Sequence, residues 1–407
     1  MLVYGRDMTT STLQTNKSIV ILKRRKVKEL KAHLNKTQIA KRLAVAPAFI
    51  RKWWDREDVE TDNRRWVKGR LRKRTEKEKN RIIKIRERLV KNNAFFYGPD
   101  AVLQEYKESF PNLSLPPRSF VAETVSKNCK ADRRTKRIAG GSRYLHYPQA
   151  SIEKLGNIIQ EIDFAGGRAL KTERDLVHIF FWVYTQPFKL PQALRINVPR
   201  GQDALNILVE DWKRLPMPDI LKMDNDVAFT VGGRYHEFSM SKFICTILNL
   251  GVTPLFTAYN KPWNNGCVEG ANSVFVRKII KKIYIENLNH LDRQIKRFNK
   301  AYLRRLQEIP RRITLSREFI APIIKETKLR PDLKDPTVYF IRQVLEEEDS
   351  QIAIRVFKVP IKIDEQYLKQ FVLAKLNVYQ KRLAVFYEKT PGKLKMIKSI
   401  SFSVKYH

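Results

Sequence analysis

Apolar positions fall into blocks of different spacing along the chain. Within residues 17–90 they keep a helical rhythm, from Val27 through Leu30, Leu34, Ile39, Leu43 and Val45. Thr37 is placed to cap a short helix ending near Leu43, Ala44–Ala46 to turn, and Pro47 to open a helix running to Asp55. Residues 91–130 repeat that plan, with a turn at Tyr97–Asp100, a helix over Ala101–Phe110, a turn at Pro111–Pro117 and a helix over Arg118–Lys127. Residues 131–146 carry no apolar period and read as a linker. From 147 to 307 the rhythm changes. β-Branched and aromatic runs predict strands at Asn157–Ala165, Val177–Tyr184, Lys189–Asn197, Asp219–Asp224 and Val252–Ala258. Helices are predicted over Gly201–Arg214, Phe238–Leu250 and Asn264–Ile283. Residues 330–407 show short alternating strands, from Val338–Val344 to Met396–Val404, and read as a small β-barrel.

The order strand, strand, strand, helix, strand, helix, strand, helix is that of an α/β ribonuclease H-like core, a mixed sheet with helices on both faces. The expected architecture is therefore multidomain: all-α helix-turn-helix units, this core, and a C-terminal barrel.

Charge sharpens that picture. The 407 residues include 80 Lys and Arg against 42 Asp and Glu, a net charge of +38. Such a surplus calls for a polyanionic partner, and double-stranded DNA is the expected one. Arg64–Lys91 alone holds fourteen Lys and Arg against three Glu. Two short helices around a turn, the second of them basic, read as a helix-turn-helix, which puts Arg51 and Lys52 against DNA in the first unit and Arg118 in the second. Arg133 and Arg134 in the linker can follow phosphates, where affinity comes from counterion release. Cys129, Cys245 and Cys267 form neither a disulfide framework nor a zinc spacing. Apolar runs such as Val177–Tyr184 are too short for a membrane span. A cytoplasmic, nucleoid-associated protein without a membrane partner is expected.

Three acids stand at the predicted mouth of the core. Asp163 ends the first strand, Asp224 closes the fourth, and Glu269 opens the last helix. Any one alone reads as a turn or helix-end residue. Together they would repel one another unless cations neutralise them, and oxygen-only ligands suit two Mg²⁺ ions, with Mn²⁺ as a substitute. Such a pair, about 4 Å apart, activates a water or 3′-hydroxyl and stabilises the leaving oxygen of an in-line phosphoryl transfer. Asp226 is a rival to Asp224 as ligand. Tyr259 and Trp263 either stack on a DNA base or pack beneath the loop that carries them.

Ile162-Asp163-Phe164, Met223-Asp224-Asn225 and Pro262-x-x-Asn265-Gly266-x-x-Glu269 resemble the three motifs of integrase-core DDE transposases of bacterial insertion sequences. Arg277-Lys278, beyond Glu269, matches that family's DNA-contacting basic pair, and the resemblance covers residues 145–305. It implies recognition of terminal inverted repeats by the N-terminal units, and 3′-end cleavage and strand transfer into target DNA by a homo-oligomer. Lys261 is a further candidate phosphate contact. Two departures are visible. Asp226 stands where the family has glycine, and the 44 residues between Asp224 and Glu269 exceed the family's spacing, with the surplus assigned to Thr230–Phe238. A second reading keeps the fold without the chemistry: a DNA-binding regulator or assembly protein.

Overall fold

A computed structural model describes residues 8–57, 75–129, 146–168, 176–230, 237–306, 328–347 and 350–406. The chain divides into two compact units, residues 1–78 and 79–407.

In the first unit, α1 (Met8–Leu30), α2 (Lys36–Arg42) and α3 (Pro47–Trp53) bury Val27, Ile39, Ala40, Ile50 and Trp53. The cap of α2 is Asn35 rather than Thr37. Its side-chain oxygen accepts the Gln38 N–H at 2.9 Å while the Gln38 side chain accepts the Asn35 N–H at 3.0 Å, a reciprocal box that Thr37 has no partner to build. Ala44 turns the chain at φ +49°, and Pro47 opens α3.

The second unit is entered through α4 (Glu76–Lys91). With α5 (Pro99–Ser109) and α6 (Arg118–Asn128) it closes a small core around Ile82, Val102, Tyr106 and Val121. There follow α7 (Gln149–Glu153), β1 (Ile159–Arg168), β2 (Val177–Gln186), β3 (Leu190–Ile196), α8 (Gly201–Trp212) and β4 (Ile220–Met223). Next come β5 (Ser239–Met240), α9 (Lys242–Asn249), β6 (Thr253–Phe256), α10 (Gly266–Phe275) and α11 (Leu288–Leu303). The C-terminal segment supplies β7 (Thr337–Gln343), β8 (Leu345–Glu346), β9 (Ile352–Val356), β10 (Val359–Lys362), β11 (Phe371–Asn377), β12 (Arg382–Thr390), β13 (Lys393–Ser401) and β14 (Lys405–Tyr406).

One mixed sheet dominates, ordered β13-β12-β11-β7-β6-β4-β1-β2-β3 among the described residues. β1, β4, β6 and β7 run parallel, and β2 and β3 pair antiparallel beyond β1. The unbroken apolar run of β2 follows from burial on both faces. Phe180, Trp182 and Tyr184 meet Leu205, Leu208 and Trp212 of α8 and Phe243 and Ile247 of α9. Ile179, Phe181 and Val183 meet Phe275 of α10 and Ile295 and Phe298 of α11. The mixed sheet flanked by helices on both faces is as expected.

The C-terminal strands are arranged differently from the expected barrel. β7 pairs in parallel with β6, so β7, β11, β12 and β13 prolong the core sheet, and no closing pair is found among the described strands. The reason is burial. Val338, Phe340, Val372 and Leu376 enter the same core as β2, while Ile341, Phe371 and Leu373 pack with Ile159, Ile220 and Leu255 on the other side. β7 and β11 are thus covered on both faces, whereas β12 and β13 towards the edge keep exposed positions.

Two helices also differ from expectation. Phe238 takes φ +58°, which ends helical geometry, so residues 239–240 form β5 and α9 starts after the Ser241 cap. The helix expected over 264–283 is a 3₁₀ turn at Pro262–Asn265, then α10, then a π turn at Val276–Ile280.

Candidate active site

β1 and β4 are parallel neighbours, with Ile159, Gln160 and Glu161 opposite Ile220, Leu221 and Lys222. That register carries Asp163 and Asp224, each two residues further on, to the same end of the sheet. Glu269 sits in the first turn of α10. Asp163, Asp224 and Glu269 line one open cleft, whose rim is formed by Thr257–Lys261 after β6 and by Asn225 and Asn265.

Crowding of these acids is visible in their proton affinities. Burial, then the negative charges of Asp224, Glu269 and Asp226, push the Asp163 carboxyl up to about 8. Burial pushes Asp224 up to about 6, against the stabilising N–H of Asp226. Burial also raises Glu269. Each shift says that burial leaves the ionised form poorly solvated, and for Asp163 and Asp224 the neighbouring carboxylates add to the cost. Among the described residues no three His, Cys, Asp or Glu side chains are close enough to chelate one ion by themselves; the acids face a shared space instead. The donors are all oxygen, and the charge left uncompensated is what a hard divalent cation would neutralise, so the residues fit Mg²⁺ or Mn²⁺.

Two polar networks underlie the cleft. In the first, Lys222 Nζ lies 3.0 Å from Glu161 Oε1, and Glu161 Oε2 accepts the N–H groups of Cys267 at 2.9 Å and Val268 at 3.1 Å. Asn265 adds a bond from Nδ2 to the Ile162 carbonyl at 3.0 Å. In the second, Arg342 of β7, only 2% exposed, donates to the carbonyls of Thr257 (2.6 Å), Ile341 (2.8 Å) and Arg355 (2.6 Å) and to Asn225 Oδ1 (2.9 Å). Its guanidinium also lies over the Tyr259 ring, 4.5 Å from the centroid. Asn225 in turn donates Nδ2 to the Thr257 carbonyl at 2.8 Å. Sequence reasoning missed Glu161, Lys222 and Arg342. A signal for the first two exists: opposite charges, each two residues before an aspartate, in otherwise apolar strands. Arg342 has no comparable signal, since three of its four partners are backbone carbonyls and the fourth, Asn225, is distant in sequence.

Asp226 is occupied in its turn, where its N–H donates to Asp224 Oδ1 at 3.1 Å and its own Oδ1 accepts the Ala228 N–H at 2.8 Å. It does not line the cleft. Part of the segment assigned to the insertion, residues 231–236, lies outside the described residues. Trp263 packs edge-on against Tyr147 and Phe371, beneath its loop, whereas Tyr259 is exposed on the rim.

The predicted DNA contacts divide. Lys261 lines the cleft. Arg277 is exposed in the π turn, but Lys278 Nζ stands over the Tyr97 ring, 3.8 Å from its centroid, and neither lines the cleft. Arg118 is paired to Asp100 at 2.6 Å. In the first unit Arg51 is exposed on α3, while Lys52 Nζ lies 4.9 Å from the Trp53 ring centre. Arg133 and Arg134 lie outside the described residues. No helix among those residues is long and apolar enough to cross a membrane.

No protein-family model matches this chain, and no curated protein matches it in sequence. Among solved structures, it is similar to a chain of the simian T-cell lymphotropic virus intasome in complex with PP2A regulatory subunit B56 gamma. That likeness has 12% identity and a TM-score of 0.30 over 77% of this chain and 95% of that one. A chain of the Mos1 strand transfer complex and one of a pre-cleavage Mos1 transpososome each match at 12% identity and TM-score 0.20, over 75% of this chain and 98% of theirs. Likenesses of that size identify no family, and the function is argued from the cleft.

Proposed function

We propose that this chain is a DDE-type polynucleotidyl transferase, a transposase that binds the ends of its element, cleaves them at the 3′ side and joins them to target DNA. The observation that carries this reading is the meeting of Asp163, Asp224 and Glu269, from three separate elements, in one open cleft of a chain with net charge +38. Asp163, Asp224 and Glu269 would hold Mg²⁺ or Mn²⁺, which when bound lowers the cost of deprotonating the attacking oxygen and of releasing the leaving one.

The remaining work falls to the chain's own groups. In cleavage, a water oxygen forms a bond to the phosphorus at the element end. The bond from phosphorus to the 3′ oxygen breaks, leaving a 3′-hydroxyl on the element and a 5′-phosphate on the flank. In strand transfer that 3′ oxygen attacks a target phosphodiester, and the target's own 3′ oxygen leaves. Lys261 on the rim supplies positive charge for a backbone phosphate at the cleft mouth. Exposed basic residues of the helical units, Arg51 among them, supply element-end recognition, and two ends are held by an oligomer of the chain.

The test is a nicking and joining assay on duplexes taken from the DNA flanking the coding region. Cleavage is expected with Mg²⁺ or Mn²⁺ and not with chelator. Asp163→Asn, Asp224→Asn and Glu269→Gln are each expected to abolish it while DNA binding persists. Cutting by the triple variant would overturn the assignment, and metal-independent binding without any cutting by the native chain would favour the regulator.

A further inference from the structure

The three acids sit on three elements, and nothing in the backbone alone fixes their mutual placement to the tolerance that phosphoryl transfer demands. One carboxylate touches all three elements. Glu161 lies on β1 two residues before Asp163, and side chains two apart on a strand share a face. Its register partner across the parallel pairing is Lys222, itself two residues before Asp224 on β4. Their side chains are each 6% exposed and meet at 3.0 Å. The other oxygen of Glu161 accepts the Cys267 and Val268 N–H groups, in the turn of α10 that carries Glu269. Those amides have no intrahelical partner, and a carboxylate satisfies two of them while facing the positive end of the helix dipole.

A buried ion pair is weak evidence for stability, because desolvation consumes most of its attraction, and its retention calls for another reason. We propose that Glu161, clamped by Lys222, is a positioning residue that sets the spacing of Asp163, Asp224 and Glu269, and so their affinity for the divalent cation. The proposal rests on the catalytic reading of the cleft. Glu161 never meets substrate; it acts through the elements it joins.

Three variants test it. Glu161→Leu with Lys222→Leu removes both charges together and is expected to keep the fold and the DNA affinity, with a melting temperature lowered by the two helix amides left without an acceptor. The Mn²⁺ concentration needed for half-saturation, read by electron paramagnetic resonance without DNA, is expected to rise about 10–100-fold, as is usual when a supporting partner of a metal ligand is lost. The maximal rate of end cleavage is expected to fall by a similar factor at unchanged KM for DNA. Glu161→Lys with Lys222→Glu restores an ion pair but moves the carboxylate from β1 to β4. It is expected to fail as the leucine pair does, because the amides of Cys267 and Val268 lose their acceptor. Lys222→Arg keeps charge and carboxylate in place, and is expected to recover cleavage to within about threefold; it also serves if the leucine pair does not fold. Mn²⁺ affinity and cleavage rate within twofold of native in either double variant would overturn the proposal, as would loss of Mn²⁺ affinity in Lys222→Arg. Asp163→Asn run alongside separates the two readings. If it still cleaves, the catalytic assignment fails; if it is dead while the double variants are native-like, only the positioning role fails.

Discussion

Two buried cations support the cleft in different ways. Lys222 faces a carboxylate: burial is the largest influence and lowers its proton affinity, but the charge and hydrogen bond of Glu161 together with Tyr147 and Cys267 leave it raised. Arg342 faces three backbone carbonyls and an amide oxygen, and burial pushes it down to about 10. The first cation is balanced by a charge that sits on a side chain and can be removed together with it. The second is balanced by dipoles that belong to the backbone and stay when the arginine goes. Removing the pair strands the two amides that Glu161 accepts, while losing Arg342 strands three carbonyls and the Asn225 side chain, so the ion pair is the more replaceable of the two.

The largest expected effect follows from that difference. Arg342→Met is expected to destabilise the second unit by about 3–5 kcal/mol, since the carbonyls of Thr257, Ile341 and Arg355 and the Asn225 side chain lose a donor. Denaturant unfolding measures it, and a loss no larger than that of the Glu161→Leu, Lys222→Leu pair would erase the contrast.

The acids above both cations give a pH-dependent effect. The Asp163 carboxyl titrates near 8 in the folded protein against an ordinary value of 3.8, so the folded state holds a proton that the unfolded state has released between those limits. Without divalent cations, this contribution to stability is fully present below about pH 4 and falls as pH rises towards 8. Asp163→Asn removes that liability. Its advantage over the native chain is expected to grow by up to ~1.4 kcal/mol per pH unit across the window, read as melting temperature against pH in chelator. Saturating Mg²⁺ is expected to flatten the native profile; parallel profiles for the two proteins would argue against the crowding of the acids.

A smaller effect is expected at Tyr259, whose exposed ring carries the Arg342 guanidinium. Tyr259→Leu is expected to cost about 0.5–1 kcal/mol by the same unfolding measurement, and a larger cost would mean that the ring, not the carbonyls, holds Arg342. Between the Arg342→Met and Tyr259→Leu effects lies the Glu161→Leu, Lys222→Leu pair, expected to cost about 1–3 kcal/mol, because the charges leave together but the Cys267 and Val268 amides lose their acceptor.

By itself the sequence determined a good deal. Periodicity placed the five strands of the core and α8, because their apolar residues are spaced for burial whatever their neighbours are. It marked the turn and both helices of residues 97–128, where Pro99 and Pro117 punctuate the chain. It singled out Asp163, Asp224 and Glu269 by their positions at element ends. Tertiary structure decided the rest. It set Arg118 beside Asp100 and Lys278 over the Tyr97 ring, pairings that depend on which acid or ring folds against the helix. It joined β7, β11, β12 and β13 to the core sheet and set β8, β9 and β10 in a sheet of their own, because alternation reports which face is buried and not which strand lies alongside. It also set Glu161 against Lys222 and α10, and Arg342 against carbonyls from three segments. Contacts made by backbone atoms leave no trace in the identity of the residues that make them, so only the folded chain reveals what holds the acids in place.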